Sequence, residues 1–185
     1  MKYASLLIFF ILAMVITSCE KDDPEPINEE ELITTVRLVC TPVSGGDVVT
    51  LQFEDQDGDG GDPPVITGGE FRSNTDYTAE VIFLNESVSP ADNVSDEVRE
   101  EGTEHQVFLV FSGVDFTVGY LDSDTGGNPI GLEMSLSAGN AGSGQLSLIL
   151  RHEPQKENAG VSEGDITNAG GETDVEVSFP VEILQ

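Results

Sequence analysis

Four aspartates share one glycine-rich segment, and their spacing is typical of a loop that binds a cation. Asp55, Asp57 and Asp59 stand at alternate positions, and Asp62 follows after two glycines. Calcium takes roughly six to eight hard oxygen ligands, and glycine permits the sharp turn that such a loop needs. The segment therefore predicts a calcium-binding turn, with Asp62 or Glu54 completing the ligand shell.

The run Asp55-Gln56-Asp57-Gly58-Asp59-Gly60 resembles the first half of an EF-hand loop, but the resemblance ends there. Ile66 occupies the twelfth position, where that loop needs a bidentate glutamate, and no helix is predicted on either side. Because Asp and Gly also favour ordinary turns, a solvated acidic turn is an equally good interpretation. A second acidic turn, at residues 122–128, favours that simpler interpretation more strongly.

Two histidines stand at strand ends, and each has a glutamate beside it. His105 follows Glu104 and precedes one predicted strand, while His152 ends another and precedes Glu153. Alternation places each histidine on the apolar face of its strand. If the strands are neighbours, two imidazoles and one or two carboxylates would suit zinc or another transition metal. The alternative is two histidines that bond nearby carbonyl groups and bind no metal.

The sequence contains no catalytic motif, and we expect a non-enzymatic protein. It has no G-x-S-x-G elbow, no H-E-x-x-H metalloprotease motif, no phosphate-binding loop and no C-x-x-C pair. Adjacent acidic residues such as Glu100 and Glu101 are too common in this chain to indicate a glycosidase.

The remaining chemistry lies near the start of the chain. Residues 5–18 are mostly apolar and follow Lys2, and Ile16-Thr17-Ser18-Cys19 ends the run. Fourteen residues suit a secretory signal and are short for a bilayer span, which needs about 20. The ending resembles a lipobox, which implies cleavage after residue 18 and acylation of Cys19. Two or more acyl chains anchor a protein stably, at about 0.8 kcal/mol per buried methylene.

An acidic run, Glu20-Lys21-Asp22-Asp23-Pro24-Glu25-Pro26, follows the cysteine directly. It resembles the export signal of Bacteroidota surface lipoproteins, which implies an outer membrane protein that faces outward. The alternative is a solvated tether on the periplasmic face. Residues 19–31 show no apolar periodicity, so we assign them to a tether between the signal peptide, 1–18, and a single domain, 32–185.

The domain is predicted to consist of β-strands. Apolar residues alternate with polar ones in eight segments bounded by Gly, Pro, Asn and Asp, which favours antiparallel strands with one buried face. We therefore predict an all-β, immunoglobulin-like sandwich in the broad sense, with a small closed barrel as the alternative. The eight segments are residues 32–40, 49–53, 77–83, 107–111, 116–120, 132–138, 146–150 and 175–183.

Two further expectations concern local structure. Ser89, Pro90 and Gly102 carry capping signals that predict one short helix over residues 89–102. Pro180 lacks an amide proton, so the last strand should lie at a sheet edge or have an unpaired N–H side at that point.

Composition excludes several partners. The formal net charge of −28 over 185 residues repels nucleic acid and anionic lipid head groups and attracts cations. With Cys19 acylated, Cys40 has no intramolecular disulfide partner and is expected to be a small buried hydrophobe. The chain has no tryptophan and few aromatic residues, which disfavours a sugar-stacking platform.

The domain as a whole, and especially Arg151-His152-Glu153-Pro154 and residues 169–177, looks like a family of small Bacteroidota surface lipoproteins. Such proteins often accompany TonB-dependent receptors, which implies a ligand-binding accessory role at the outer membrane. Some carry a label of type 1 periplasmic-binding fold, but that fold needs many βα units and this chain shows strands. A calcium-stabilised structural or adhesion module of the cell surface is the alternative function.

Overall fold

The computed structural model of the chain describes residues 32–57 and 61–185. The predicted signal peptide, Cys19, the predicted tether and Asp59 lie outside the described residues, so the expectations about them stay predictions. The secondary structure of the described part comprises β1 (Thr35–Pro42), β2 (Val49–Glu54), β3 (Val65–Thr67), β4 (Gly69–Arg72), β5 (Thr75–Leu84), α1 (Val94–Glu100), β6 (His105–Ser112), β7 (Phe116–Tyr120), β8 (Glu133–Ala138), β9 (Gly142–His152) and β10 (Glu172–Leu184), with 3₁₀ turns at Val161–Glu163 and Ile166–Asn168.

The strands form two sheets that share one core, which confirms the predicted all-β sandwich. Sheet A has the order β3-β2-β1-β5-β8-β7, and sheet B has the order β4-β10-β9-β6. Neighbouring strands are antiparallel except β4 and β10, which are parallel. Period-two alternation fills the space between the sheets, as in β1, where Val36, Leu38 and Cys40 are fully buried. Burial raises the pKa of the Cys40 thiol to about 12, so it packs as a neutral side chain.

Strands β6 and β9 are covered on both faces. The segment between β9 and β10 lies over the outer face of sheet B, where Phe108, Ile149, Val161 and Ala169 form a second, smaller apolar cluster. Buried Gln106 donates a hydrogen bond from Nε2 to the Val161 carbonyl oxygen over 2.8 Å. These contacts fix the path by which the chain returns to the start of β10.

The structure corrects three predicted details. The described part has ten strands where the sequence predicted about eight, because β3 and β4 are too short to show alternation. The helix begins at Val94, later than predicted, because Asn85 and Asp92 exchange backbone hydrogen bonds of 2.9 and 3.0 Å. Those bonds hold the residues before α1 in an extended conformation.

Of the two alternatives predicted for the last strand, the sheet edge is wrong. Strand β10 lies between β4 and β9, and its ladder with β4 runs from Val181 to Leu184. Pro180 stands just before that ladder, so its missing N–H breaks no registered pair with β4.

Among the described residues, no helix has the length and apolar character required to span a bilayer.

Candidate metal centre

The two histidines are direct neighbours at one end of sheet B. His105 is the first residue of β6 and His152 the last of β9, and the two are paired in the antiparallel register. Both side chains point to the core side, as alternation predicted, and His105 is 0% and His152 5% exposed. Their ring centroids are 4.6 Å apart with an interplanar angle of 71°.

A third residue completes this cluster. Asp174 lies in β10 at a β-bulge, where the register against β9 shifts between Thr173 and Val175. A bulge adds one residue to a strand and re-aims a side chain. Here the side chain of Asp174 is only 3% exposed and lies beside both imidazoles. Three adjacent strands thus contribute one ligand-type side chain each.

The separations in this inner trio (His105, His152 and Asp174) are suited to a bound ion. Asp174 Oδ2 lies 3.8 Å from His105 Nε2, and Oδ1 lies 3.7 Å from His152 Nδ1. Both distances exceed a hydrogen bond. Ligand atoms around a tetrahedral zinc ion lie about 3.4 Å apart, given metal–ligand distances near 2.1 Å. One atom from each of the three residues falls within 4.8 Å of the others, so small shifts would close the site around an ion.

Buried polar atoms normally find partners. His152 Nδ1 is fully buried, and within the described part of the chain it forms no hydrogen bond. His105 is positioned differently, because its Nδ1 lies 3.3 Å from the Glu101 carbonyl oxygen. In metal sites, a carbonyl partner on one ring nitrogen orients the imidazole so that the opposite nitrogen faces the metal.

A glycine brings the third strand into place. Gly171 has φ +68°, and a Cβ at this position would lie 2.1 Å from the His152 carbonyl oxygen. The chain can therefore pass this close to the end of β9 only without a side chain. Asp174 follows three residues later, so its position depends on this close approach.

The two predicted glutamates form a second group with one of the histidines. Ligand atoms of Glu104, His152 and Glu153 also lie within 4.8 Å of one another, and both glutamates are exposed. The Glu153 N–H donates to the Glu104 carbonyl oxygen over 2.6 Å, which ties the two strand ends together. The four predicted ligands are thus divided into two groups that share His152.

Sequence reasoning missed Asp174. It stands at the end of a long polar segment, and strict alternation along β10 would place it on the face opposite Val175 and Val177. Only the bulge turns it inward. The adjoining motif Gly170-Gly171, which permits a close backbone approach, was the one available signal.

The predicted calcium loop differs from the inner trio, because its described carboxylates are not gathered into one group of ligand atoms. The Asp57 carboxylate accepts a hydrogen bond from the Asp62 N–H over 2.9 Å, and the Asp55 N–H donates to the Thr34 carbonyl oxygen over 2.8 Å. Of the four aspartates, the three that the structure describes belong to neither metal-competent group. Calcium binding at Asp55, Asp57, Asp59 and Asp62 stays a prediction.

The second acidic turn is occupied by a lysine. Lys156 Nζ donates to Asp124 Oδ2 and to the Pro129 carbonyl oxygen, both over 2.9 Å, and also to the Gly102 carbonyl oxygen. Asp122 accepts hydrogen bonds from three backbone N–H groups, those of residues 131–133. These hydrogen bonds stabilise the turn.

Burial alone would raise the pKa of Asp124, but the opposing contacts prevail. Hydrogen bonds from Lys156 and from the Asn128 and Gly126 N–H groups, with the charge of Lys156, hold the pKa of Asp124 below its usual value. Burial lowers the pKa of Lys156, and Asp124 and Asp122 partly offset that effect.

Comparison of the chain with family models, with curated proteins and with solved structures found no match.

Proposed function

We propose that this protein is a lipid-anchored, non-catalytic binding protein of the bacterial outer surface that holds a transition-metal ion between His105, His152 and Asp174. The observation that carries the metal assignment is the inner trio, in which three strands place two imidazoles and one carboxylate together in a buried site. The lipobox at Cys19 and the acidic run behind it support the location.

The ligand types favour zinc or a neighbouring transition metal over calcium. Imidazole nitrogen suits zinc, copper, nickel and iron, whereas calcium needs a larger shell of oxygens. Two neutral imidazoles and one carboxylate leave a divalent ion with one uncompensated positive charge. The strongly acidic surface, with a net charge of −28, compensates part of that charge and raises the local cation concentration.

The metal assignment is tested by zinc titration of the purified protein with calorimetry and elemental analysis. We expect one zinc ion per chain, and we expect Asp174→Asn to lower the affinity at least 100-fold. Glu176→Gln is the matched control, because Glu176 is an exposed carboxylate on the same strand. Far-UV circular dichroism establishes that each variant is folded. A wild-type protein without stoichiometric zinc, or an unchanged affinity in Asp174→Asn, would contradict the assignment.

The location is tested separately. Mass spectrometry should find diacylglycerol on Cys19 and cleavage after residue 18, and Cys19→Ser should release the protein from membranes. Protease treatment of intact cells distinguishes the two faces of the outer membrane, because only an outward-facing domain is digested.

The partner we propose is a TonB-dependent receptor, to which this protein would supply the captured ion or a metal complex. Cross-linking in intact cells followed by purification from the outer membrane should recover such a receptor with the wild-type protein. If no receptor is recovered, the accessory role is wrong, while the metal assignment stands on its own test.

A further inference from the structure

His152 belongs to two ligand groups at once, and the two groups differ sharply in burial. In the inner trio the side chains of His105, His152 and Asp174 are 0%, 6% and 3% exposed. In the outer group, Glu104 and Glu153 are exposed and only His152 is buried. An ion held by the inner trio would be enclosed by protein, whereas an ion held by the outer group would contact solvent.

We infer that Glu104 and Glu153 form an entry station, from which a divalent transition-metal ion passes to the inner trio while His152 stays one of its ligands. This inference rests on the proposed function, because it describes how the same buried site is loaded and emptied. The outer group supplies two carboxylates and one imidazole, and the inner trio supplies one carboxylate and two imidazoles.

The physical reason lies in the order of ligand exchange. A hydrated ion gives up its waters one at a time, and exposed carboxylates are hard oxygen ligands that can replace them at the surface. Two glutamates carry two negative charges and attract a divalent cation. Because His152 belongs to both groups, Asp174 and His105 can replace the glutamates while the ion lies beside this imidazole, so the bare ion need not cross the buried region without a ligand.

A local backbone feature supports a role for Glu153. It has φ +48°, and apart from Asn74 it is the only non-glycine residue with positive φ in the described part of the chain. This left-handed conformation is unfavourable for a residue with a long side chain, and such strain is concentrated at functional sites. The conformation turns the chain directly after His152 and places the Glu153 carboxylate beside that of Glu104.

The unbonded nitrogen of His152 supports the inner end of this route. His152 Nδ1 faces Asp174 and makes no hydrogen bond in the part of the chain that the structure describes. The shared residue therefore has an unused donor atom directed into the inner trio, and its ring also belongs to the exposed group.

The test is the rate of zinc exchange, measured by stopped-flow mixing of the whole protein with zinc and, separately, of the zinc-loaded protein with a chromophoric chelator. For the double variant Glu104→Gln/Glu153→Gln we expect association and dissociation both at least tenfold slower, with a Kd within threefold of wild type. The control is Glu176→Gln/Glu182→Gln, which removes the same charge from exposed positions on β10.

The outcomes separate this inference from the proposed function. If wild type binds zinc and the double variant exchanges it at the control's rate, the entry station is wrong and the metal site stands. If the double variant loses affinity through faster dissociation alone, the glutamates are permanent ligands, and the entry route is again wrong. If wild type binds no zinc at all, the proposed function falls, and the entry station falls with it.

Discussion

Two buried clusters of ionisable side chains in the described part of the chain differ in the distances between their opposite charges. At the Lys156–Asp124 pair, the ammonium donates to one carboxylate and two carbonyl oxygens at hydrogen-bonding distance. At the inner trio, the carboxylate lies 3.7 and 3.8 Å from the two imidazoles. The first site uses a cation of the chain itself, whereas the second leaves the spacing that a metal cation requires.

The two clusters are held by different parts of the sandwich. Lys156 joins three loops beyond the strand ends, so its bonds define the turns around Gly102, Asp124 and Pro129. The inner trio joins three strands of one sheet, whose register is already fixed by the backbone. Loss of the lysine should therefore damage stability, while loss of a trio residue should mainly damage binding.

The largest effect is expected from Lys156→Met. Removal of one partner from a buried ion pair leaves the other charge uncompensated and costs about 3–5 kcal/mol. Urea denaturation should show that loss in the free energy of unfolding, with zinc affinity unchanged in the folded protein. Arg99→Met is the control, because the ion pairs of Arg99 with Asp96 and Glu133 are exposed and contribute at most about 1 kcal/mol. Equal losses in the two variants would show that the buried pair has no special role.

The next effect is the stabilisation by zinc. At a free zinc concentration of 100 times Kd, wild type should gain about 2.7 kcal/mol in its free energy of unfolding. Asp174→Asn should gain much less, and Lys156→Met should gain the full amount because its metal site is intact. Calcium at the same concentration serves as the control ion. A zinc gain that Asp174→Asn retains in full would place the ion elsewhere in the protein.

These two sites also show what the sequence could predict and what it could not. Alternation is a local signal, so it predicted eight of the ten described strands and the inward faces of His105 and His152 correctly. Their pairing across β6 and β9 depends on strand order, which period-two patterns do not encode. Asp174 could not be found by alternation at all, because the bulge reverses its face.

The same limit applies to the acidic loops. The turn at residues 122–128 has the composition of a cation site, and its cation turned out to be Lys156, which lies far along the chain. Composition predicts that this turn is negatively charged. It does not predict that Lys156, 32 residues beyond Asp124, supplies the neutralising charge. The helix was predicted too long for a similar reason, since the bridge between Asn85 and Asp92 competes with its first turn.

A smaller effect should appear in the acid dependence of stability. The pKa of Asp124 is lowered in the folded protein, so its contribution is fully present above the unfolded pKa of about 3.9 and is lost as pH falls through the folded value. Asp124→Asn should flatten the acid limb of the free energy of unfolding by at most about 1.4 kcal/mol per pH unit, the limit for one proton. An unchanged slope in Asp124→Asn would show that this carboxyl does not titrate with folding. Thermal melting at several pH values below 5 measures the difference.

The smallest expected effect is at Glu153, where one substitution should change both the free energy of unfolding and the rate of zinc exchange. Glu153→Asn keeps the left-handed backbone and replaces a long side chain by one that tolerates it, so we expect a gain of up to about 1 kcal/mol in the free energy of unfolding. Zinc association should become slower, because the entry carboxylate is gone. The reciprocal control is Asn74→Glu, at the other non-glycine residue with positive φ among those described, which should lose a comparable amount of stability without any change in zinc kinetics. If Glu153→Asn is less stable than wild type, then Glu153 is held by contacts that outweigh its strain, and the backbone argument for its role in metal entry fails.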